Sequence, residues 1–402
     1  MNGYTNKQKE KMNEEALNKT VDELDRDNLP TANIMVAGIT GTGKSTLLNA
    51  VFSSDLAATG SGRPVTEQIN EYDSPDIPIH IWDTVGLELD SEKTKDSISK
   101  IRQTIAEKAS SDDHFDRIHA IWYCINSGSN RYQGAELEFI KNLHSIGVPF
   151  IIVLTQCIAV DDEINAFENK IKEINASMEM SDIDIIQVLA TDKKTKIYTI
   201  EAFGLDVLVD TTLKKLPDFI KGGFAAAQKV SKVQKRVQCE EIIYLYVKAA
   251  KEGFWDKVPF ANILSTNKRI KNMLKKIGDM YNTQVSPDGI EEIVKGSGIN
   301  FNNAFHGLVN PFYGGYHQKV MLLLNVKKSE GFEVNLDELT KSDRVAVMIA
   351  FYGYTFISAI EELWETFTEE QLKDMTRVCN KLIEIINRIL YNKKDSHNKG
   401  VH

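Results

Sequence analysis

The stretch Gly38–Ile39–Thr40–Gly41–Thr42–Gly43–Lys44–Ser45 separates two segments of different periodicity. Residues 34–37 before it form an apolar run that predicts a buried β-strand, and residues 46–52 after it follow a helical pattern. The stretch itself matches G-x-x-x-x-G-K-S, a pattern that binds phosphates when it connects a strand to a helix. It therefore predicts an α/β fold with a phosphate-binding loop.

The residue types in this loop suit a polyphosphate. Glycines let the backbone fold with its N–H groups pointing inward, and the positive end of the helix dipole faces the same site. Lys44 is predicted to contact the β- and γ-phosphates, and the Ser45 hydroxyl is predicted to ligate Mg²⁺. The predicted nucleotide-binding residues of the loop are Gly38, Gly41, Thr42, Gly43, Lys44, Ser45 and Thr46.

Length and composition set broader expectations. The chain has 402 residues, of which 42% are hydrophobic, and this is enough for two or three domains with full-sized cores. A net charge of −9 disfavours a role on nucleic acid, which is bound by concentrated Lys and Arg. Four widely separated cysteines indicate neither a zinc site nor a disulfide framework. Without a secretory signal or a membrane span, the chain is expected to be cytoplasmic.

Periodicity predicts a sheet followed by a helical domain. Apolar runs alternate with helical segments as far as residue 220, which predicts a mostly parallel sheet with helices on both faces. The runs read as central strands, because they are too apolar for edges. They are residues 34–37, 79–82, 118–125, 150–154 and 185–189.

After Gly222 and Gly223 the pattern changes to long helical segments. A boundary is therefore predicted near Lys221, with an all-α domain beyond it. At the start of the chain, Leu17, Val21 and Leu24 have helical spacing and predict an amphipathic arm. The predicted parts are the arm at 1–30, the α/β domain at 31–220, the helical domain at 221–392 and a disordered tail at 393–402.

Two further motifs accompany the loop in the expected order. Thr66 lies twenty-one residues beyond Ser45, in Gly62–Arg63–Pro64–Val65–Thr66, and is the candidate switch residue that ligates Mg²⁺ only when a γ-phosphate is present. Asp83–Thr84–Val85–Gly86 ends a predicted strand and supplies an acidic Mg²⁺ partner and a glycine N–H for the γ-phosphate. Thr66, Ser45 and Asp83 are the predicted metal ligands, with Lys44 and Thr66 as the predicted catalytic residues.

With these motifs the chain resembles the translation-factor-related GTPases, specifically the Era-like and immunity-related (interferon-inducible-like) predicted GTPases of bacteria with a helical C-terminal domain. The residues that carry the resemblance are 38–49, 62–66, 83–86 and 122–131. The resemblance implies a P-loop GTPase domain that binds GTP or GDP with Mg²⁺. It also implies a loop near Ala190 whose backbone N–H contacts the purine O6.

This chain departs from the motif with which such GTPases recognise the guanine base. The family places Asn or Thr, then Lys, any residue and Asp after the strand, where the Asp bonds the guanine N1 and N2 donors. This chain has Thr155–Gln156–Cys157–Ile158, so its guanine selectivity is expected to be weaker. Asp161 and Asp162 offer another carboxylate, although they also suit the start of a helix.

Hydrolysis is expected to be slow, because Leu87 stands where related enzymes carry a water-orienting Gln. Arg63 and Arg131 are candidates for a charge-stabilising arginine, with a solvated loop arginine as the alternative for each. The missing group would come from a homodimer across the nucleotide or from an activating protein.

Three functions remain open from the sequence. The first is a slow GTPase that acts as a conformational switch read out by the helical domain, and the second is a nucleotide-binding scaffold with little turnover. The third is a membrane-associated remodelling or defence GTPase. The uncharged run at 345–360 fits a buried helix of the bundle, with membrane association as the alternative.

Overall fold

The computed structural model describes residues 28–52, 63–66, 69–73, 77–84, 92–109, 111, 113–129, 131–132, 134–158, 161–194, 198–252, 263–283, 285, 289–290, 315–324 and 340–397. The chain divides into two compact units. The first unit is Pro30–Gln234, and the second comprises the residues from Lys235 onwards with the described residues before Pro30. The predicted arm lies almost entirely outside the described residues.

The first unit contains a seven-stranded sheet. Its strands are β1 (Ala32–Gly38), β2 (Arg63–Thr66), β3 (Ile69–Asp73), β4 (Ile79–Thr84), β5 (Ala120–Asn126), β6 (Phe150–Thr155) and β7 (Asp184–Gln187). Their order across the sheet is β2-β3-β4-β1-β5-β6-β7. β3 is antiparallel to β2 and β4, and the other pairs are parallel. A separate hairpin joins β8 (Lys193–Lys194) to β9 (Thr199–Ile200).

β1 lies near the centre of the sheet, and all seven of its residues are buried. A parallel strand covered on both faces needs a continuous apolar run, and this is the pattern that the sequence carries. β1 pairs with β4 on one side, where Val36 is opposite Asp83, and with β5 on the other, where Gly38 is opposite Cys124. The carboxyl ends of the three strands therefore meet at one edge of the sheet.

The helices of the first unit flank this sheet. They are α1 (Lys44–Val51), α2 (Glu92–Ala109), α3 (Ala135–His144), α4 (Asp161–Ser177), α5 (Leu205–Lys215) and α6 (Asp218–Ala227). The fold class predicted from the sequence, a mostly parallel sheet with flanking helices followed by a helical region, is confirmed.

One strand takes a different place from the predicted one. Residues 185–189 were expected to form a central strand, but β7 ends the sheet and, among the described strands, pairs only with β6. Asp184 is exposed and the other three residues of β7 are only partly buried, which an edge strand tolerates. The two isoleucines of β7 were therefore a poor guide to its position.

The first unit also extends beyond the boundary predicted near Lys221, to Gln234. The reason is that α6 packs on the sheet unit. The Phe224 ring makes edge contacts with Phe52 and Trp122, with ring centres 6.0 and 6.2 Å apart. A Cβ added to Gly223 would lie 1.7 Å from the Pro30 carbonyl oxygen, so this glycine permits a close approach of backbone to backbone. The Gly pair after which the pattern was seen to change belongs to a packed helix.

All the secondary-structure elements described in the second unit are helices. Its helices are α7 (Lys232–Lys251), α8 (Ile263–Met280), α9 (Gly315–Leu323), α10 (Lys341–Thr366), α11 (Glu369–Leu372) and α12 (Met375–His397). α12 continues through the first residues of the predicted disordered tail, because residues 393–397 contain no glycine or proline to end it. Residues 398–402 lie outside the described residues.

α10 contains the uncharged run at 345–360. Within the described residues, Ser342–Thr366 is the one helix long and apolar enough to cross a membrane by length and composition. Its most apolar window has a mean hydropathy of 1.3, and 72% of that window is buried inside the structure. This burial is the behaviour of a helix in the core of a bundle.

Candidate nucleotide-binding site

The loop between β1 and α1 presents backbone donors at the start of a helix. The first described hydrogen bond of α1 joins the Leu47 N–H to the Gly43 carbonyl, so the N–H groups of Lys44, Ser45 and Thr46 have no partner within the helix. α1 has no side-chain cap and no acidic residue in its first turn. An anion is therefore the natural partner for this helix N-terminus.

Gly38, which begins the loop, has a conformation that other residues rarely adopt. Its φ is +147°, and an added Cβ would lie 2.5 Å from the carbonyl oxygen of Cys124 on β5. The loop therefore starts against the backbone of the neighbouring strand, and only glycine fits there. Thr42 closes the turn, since its hydroxyl donates to the Ile39 carbonyl over 2.9 Å.

The Lys44 ammonium lies inside this loop. Lys44 is 9% exposed, and its Nζ donates to the carbonyl oxygens of Gly38 and Ile39 over 3.0 and 3.4 Å. Among the described residues no carboxylate forms a salt bridge with Lys44. A buried cation that is held only by the carbonyls of its own loop is suited to a polyanionic ligand.

Asp83 lies at the end of β4, beside β1. It is 9% exposed, and its Oδ1 is buried without a hydrogen-bond partner among the described residues. Burial raises the pKa of Asp83 to about 6, against an opposing effect of the nearby Lys44 charge, which lowers it. The carboxylate and the ammonium therefore interact electrostatically although they make no direct contact.

The available oxygen ligands fit Mg²⁺. This ion prefers oxygen ligands and, in phosphate sites, takes one or two protein groups and completes its shell with phosphate and water. Asp83 offers a buried carboxylate oxygen without a protein partner, and Ser45, which is exposed at the start of α1, offers a hydroxyl. These two residues would hold the ion beside the phosphates.

The predicted switch residues are only partly described. Thr66 ends β2, where it is opposite Ile69, and Arg63 begins the same strand opposite Glu71. The side chains of both residues lie outside the described part of the chain, as do Gly86 and Leu87 in full. Thr66 and Gly86 therefore remain predictions.

Thr155 and Gln156 attach the loop after β6 to the phosphate-binding loop. The Thr155 hydroxyl donates to the Thr42 carbonyl over 2.5 Å, with a second contact of 3.2 Å to the Ile125 carbonyl. Gln156 Nε2 donates to the Gly41 carbonyl over 2.9 Å, and its backbone has a φ of +54°. The last side chain of β6 and the one after it are thus both engaged with the backbone of the phosphate-binding loop.

Ser127 supports the same loop and was not predicted. It follows β5, and its hydroxyl donates to the Gln156 carbonyl over 3.0 Å. Its position gave a signal, because residues that follow adjacent parallel strands meet at the carboxyl edge of the sheet, where ligands bind in α/β folds. Arg131, four residues further on, has an exposed side chain.

The loop after β7 lies against the loop after β6. The Val188 N–H donates to the Leu154 carbonyl over 2.8 Å, and the Cys157 N–H donates to the Val188 carbonyl over 3.3 Å. Ile158, in the slot of the base-reading carboxylate, is 48% exposed. α4 begins at Asp161, and Asp162 lies in its first turn, where a negative charge interacts favourably with the helix dipole.

A glycine-lined turn, a buried lysine and an acidic residue at the next strand end define a P-loop nucleotide-binding domain. Residues 33–156 match the sequence model of the family described as 50S ribosome-binding GTPase. This part of the chain is therefore a GTP-binding P-loop GTPase domain. The match covers less than half of the chain, and no curated protein matches the chain in sequence.

Several solved structures are similar to part of the chain. An Era variant from Aquifex aeolicus bound to GDP and AlF₄⁻ is 17% identical, with a TM-score of 0.33 over 55% of this chain and 68% of that chain. A probable GTP-binding protein, engB, is 18% identical, with a TM-score of 0.32 over 47% of this chain and 98% of that chain. A bacterial selenocysteine-specific elongation factor is 19% identical, with a TM-score of 0.31 over 46% of this chain, which spans only 29% of the factor.

Proposed function

We propose that the protein binds GTP with Mg²⁺ and hydrolyses it slowly, as a conformational switch read out by the helical unit. The observation that carries the proposal is the arrangement of Lys44, at the start of α1, and Asp83, near the end of β4. Among the described residues, one is a buried ammonium held only by carbonyls of its own loop, and the other has a buried carboxylate oxygen without a partner. A Mg²⁺–triphosphate supplies the missing partner of each.

Each residue has a distinct role in this proposal. Lys44 neutralises charge on the β- and γ-phosphates, and the N–H groups at the start of α1 bind phosphate oxygens. Ser45 and Asp83 hold Mg²⁺, which supplies charge neutralisation between the two phosphates when it is bound. Thr66 and Gly86 respond to the γ-phosphate and so distinguish GTP from GDP.

The resemblance to the immunity-related GTPases has no support beyond the sequence motifs.

Slow turnover follows from Leu87, an apolar side chain that cannot orient a water molecule. We propose that the missing group comes from a second copy of the chain or from an activating protein. The scaffold is the second candidate function, and Leu87 is the observation that favours it. A scaffold would bind GTP without measurable hydrolysis at any protein concentration.

We further propose that the protein works in the cytoplasm without binding nucleic acid. The four cysteines are buried and form no disulfide with one another, which is consistent with a reducing compartment. The net charge of −9 disfavours a phosphate backbone as partner. Era, one of the structural neighbours, has been solved in complex with a segment of 16S ribosomal RNA, so RNA binding should be measured directly.

The decisive experiment compares Lys44→Ala with Lys170→Ala by titration calorimetry with GTP. Lys44→Ala should lower GTP affinity by more than about tenfold, because the loop loses the cation that faces the phosphates. Lys170 is an exposed residue of α4, and its replacement should leave the affinity unchanged. Equal affinities for the wild type and Lys44→Ala would contradict the proposed function.

A second measurement tests the metal. Removing Mg²⁺ with EDTA should weaken GTP binding in the wild type. In Ser45→Ala the loss of affinity on adding EDTA should be smaller. Thr66→Ala should weaken the binding of a GTP analogue without weakening that of GDP, because only the triphosphate engages the switch residue. An equal loss for both nucleotides would remove Thr66 from the switch.

A further inference from the structure

The base end of the site is built differently from its phosphate end. At the phosphate end, one contiguous loop provides donors and a cation. At the base end, three segments meet at the edge of the sheet, after β5, β6 and β7, and bond to one another through Ser127, Gln156, Cys157 and Val188. The chemistry that this edge presents to a purine can therefore be stated group by group.

The residues that begin the base-reading segment are already engaged. Thr155 donates to the Thr42 carbonyl, and Gln156 Nε2 donates to the Gly41 carbonyl. A Cβ added to Gly43 would lie 3.4 Å from the same Nε2, so the Gln156 side chain lies along the phosphate-binding loop. These contacts fix the backbone that leads into Ile158.

Ile158 is presented at this edge as a half-exposed apolar side chain. Its N–H donates to the Gln156 carbonyl over 2.8 Å, and this bond, with that of the preceding Cys157 to Val188, holds the segment in place. The side chain has no acceptor, so the N1 and N2 donors of guanine gain no hydrogen bond from it. Because Ile158 is 48% exposed, this edge of the site is open to water, which can bond a 2-amino group in place of a carboxylate.

Ala190 supplies the opposite kind of group. Within the described part of the chain its N–H makes no hydrogen bond, while the neighbouring Leu189 is paired with Phe203. Val188, two residues earlier, is bonded to Leu154 and Cys157, which places this loop beside the base-reading segment. A backbone N–H donates a hydrogen bond to a 6-oxo group and opposes a 6-amino group, because two donors cannot bond to each other.

We propose, on the basis of the proposed function, that this site selects 6-oxopurine nucleotides and does not read the 2-position, so that ITP binds as well as GTP. The substrate class is therefore broader than guanine nucleotides. Selection against ATP comes from the backbone at Ala190, and the apolar side chain at Ile158 leaves hypoxanthine and guanine equivalent.

The experiment measures the dissociation constants of GTP, ITP and ATP in Mg²⁺ buffer by calorimetry with the full-length protein. GTP and ITP differ only by the 2-amino group, so their ratio isolates the 2-position. We expect the two constants to agree within about threefold and ATP to bind at least about tenfold more weakly. ATP binding as tight as that of GTP would overturn the role of Ala190.

Variants at Ile158 supply the matched comparison. Ile158→Asp introduces the acceptor and should raise the preference for GTP over ITP to about tenfold or more, whereas Ile158→Leu should leave the ratio near one. Because the side chain is half exposed, neither change removes a core residue. An unchanged ratio in Ile158→Asp would overturn the placement of Ile158 at the purine edge.

The ratio of the GTP and ITP dissociation constants of the wild type tests the inference without any variant. A preference for GTP over ITP above about tenfold would overturn the inference, and its loss in Asp162→Asn would assign the reading of the 2-amino group to the start of α4. In that case the proposed GTP-binding function would stand. Absence of binding by any of the three nucleotides would instead overturn the proposed function and this inference together.

Discussion

Replacing Asp83 by Asn should raise the stability of the ligand-free first unit and lower its affinity for nucleotide. The folded protein holds the Asp83 carboxyl at a pKa of about 6, compared with an ordinary value of 3.8, because the group is buried. A carboxyl whose pKa is raised on folding stabilises the folded state when it is protonated and destabilises it when it is ionised. The wild type without ligand should therefore lose stability as the pH rises through 6.

The size of the effect follows from the same two values. The interval between 3.8 and about 6 corresponds to about 3 kcal/mol of folding free energy above pH 6, at about 1.4 kcal/mol per pH unit. Asn removes this cost, but its buried amide has no described hydrogen-bond partner either, and that offsets about 1 to 2 kcal/mol. Asp83→Asn should therefore be more stable than the wild type by about 1 to 2 kcal/mol at pH 8.

Denaturant unfolding in EDTA, without nucleotide, measures this difference. Trp82, next to Asp83, and Trp122 on β5 report on the sheet by fluorescence. The extra stability of the variant should shrink as the pH falls from 6 towards 4, where Asp83 is protonated in the folded and unfolded states alike. Asp73→Asn is the matched control on β3, because the Asp73 side chain is 62% exposed and should change stability by less than about 0.5 kcal/mol.

With Mg²⁺ and GTP present, the wild type should become more stable than Asp83→Asn. Ligand at about a hundred times its dissociation constant stabilises the folded wild type by about 2.7 kcal/mol, and the variant gains less because it has lost a metal ligand. If Asp83→Asn is instead less stable than the wild type at pH 8 without ligand, burial does not raise the pKa of the Asp83 carboxyl. If Mg²⁺ tightens GTP binding equally in both proteins, Asp83 is not a metal ligand.

Two other predictions concern the loop and the source of the catalytic group. Gly38→Ala should destabilise the first unit by more than about 2 kcal/mol, because its Cβ would lie 2.5 Å from a backbone oxygen, whereas Gly147→Ala, with a positive φ but open space, should cost about 1 kcal/mol. Equal losses in denaturant unfolding would show that the close approach does not constrain the loop. If a second copy supplies the catalytic group that Leu87 cannot provide, specific GTPase activity should rise as the protein concentration increases from nanomolar to micromolar. Arg63→Ala or Arg131→Ala should abolish that rise. Flat activity in all three proteins would eliminate self-activation.

The phosphate end of the site was accessible to sequence reasoning because it is local. A strand, a glycine-containing turn and a helix N-terminus follow one another within residues 32–51, so the motif and its geometry are encoded together. Asp83 was accessible for a related reason, since it ends an apolar run that has to pair with β1. Spacing alone could not reveal that its Oδ1 lacks a protein partner.

The misplaced features depend on contacts between distant segments. Gly222 and Gly223 precede the change of pattern that set the predicted boundary, but Gly223 allows α6 to approach Pro30, nearly two hundred residues earlier in the chain. The predicted strand at 185–189 has the apolar composition of an inner strand, and only the pairing partners of β7 show that it lies at an edge. Neither periodicity nor composition carries this information, because both describe a segment and not its neighbours.

The contacts after β6 explain why the loss of the base-reading carboxylate need not weaken the phosphate site. Thr155 and Gln156 hold the phosphate-binding loop through the Thr42 and Gly41 carbonyls, and both bonds are made by residues other than Ile158. The segment therefore has two separable tasks, one structural and one of recognition. Because the structural bonds are intact, the acceptor for guanine can be missing while Lys44 and the start of α1 remain in position to bind a triphosphate.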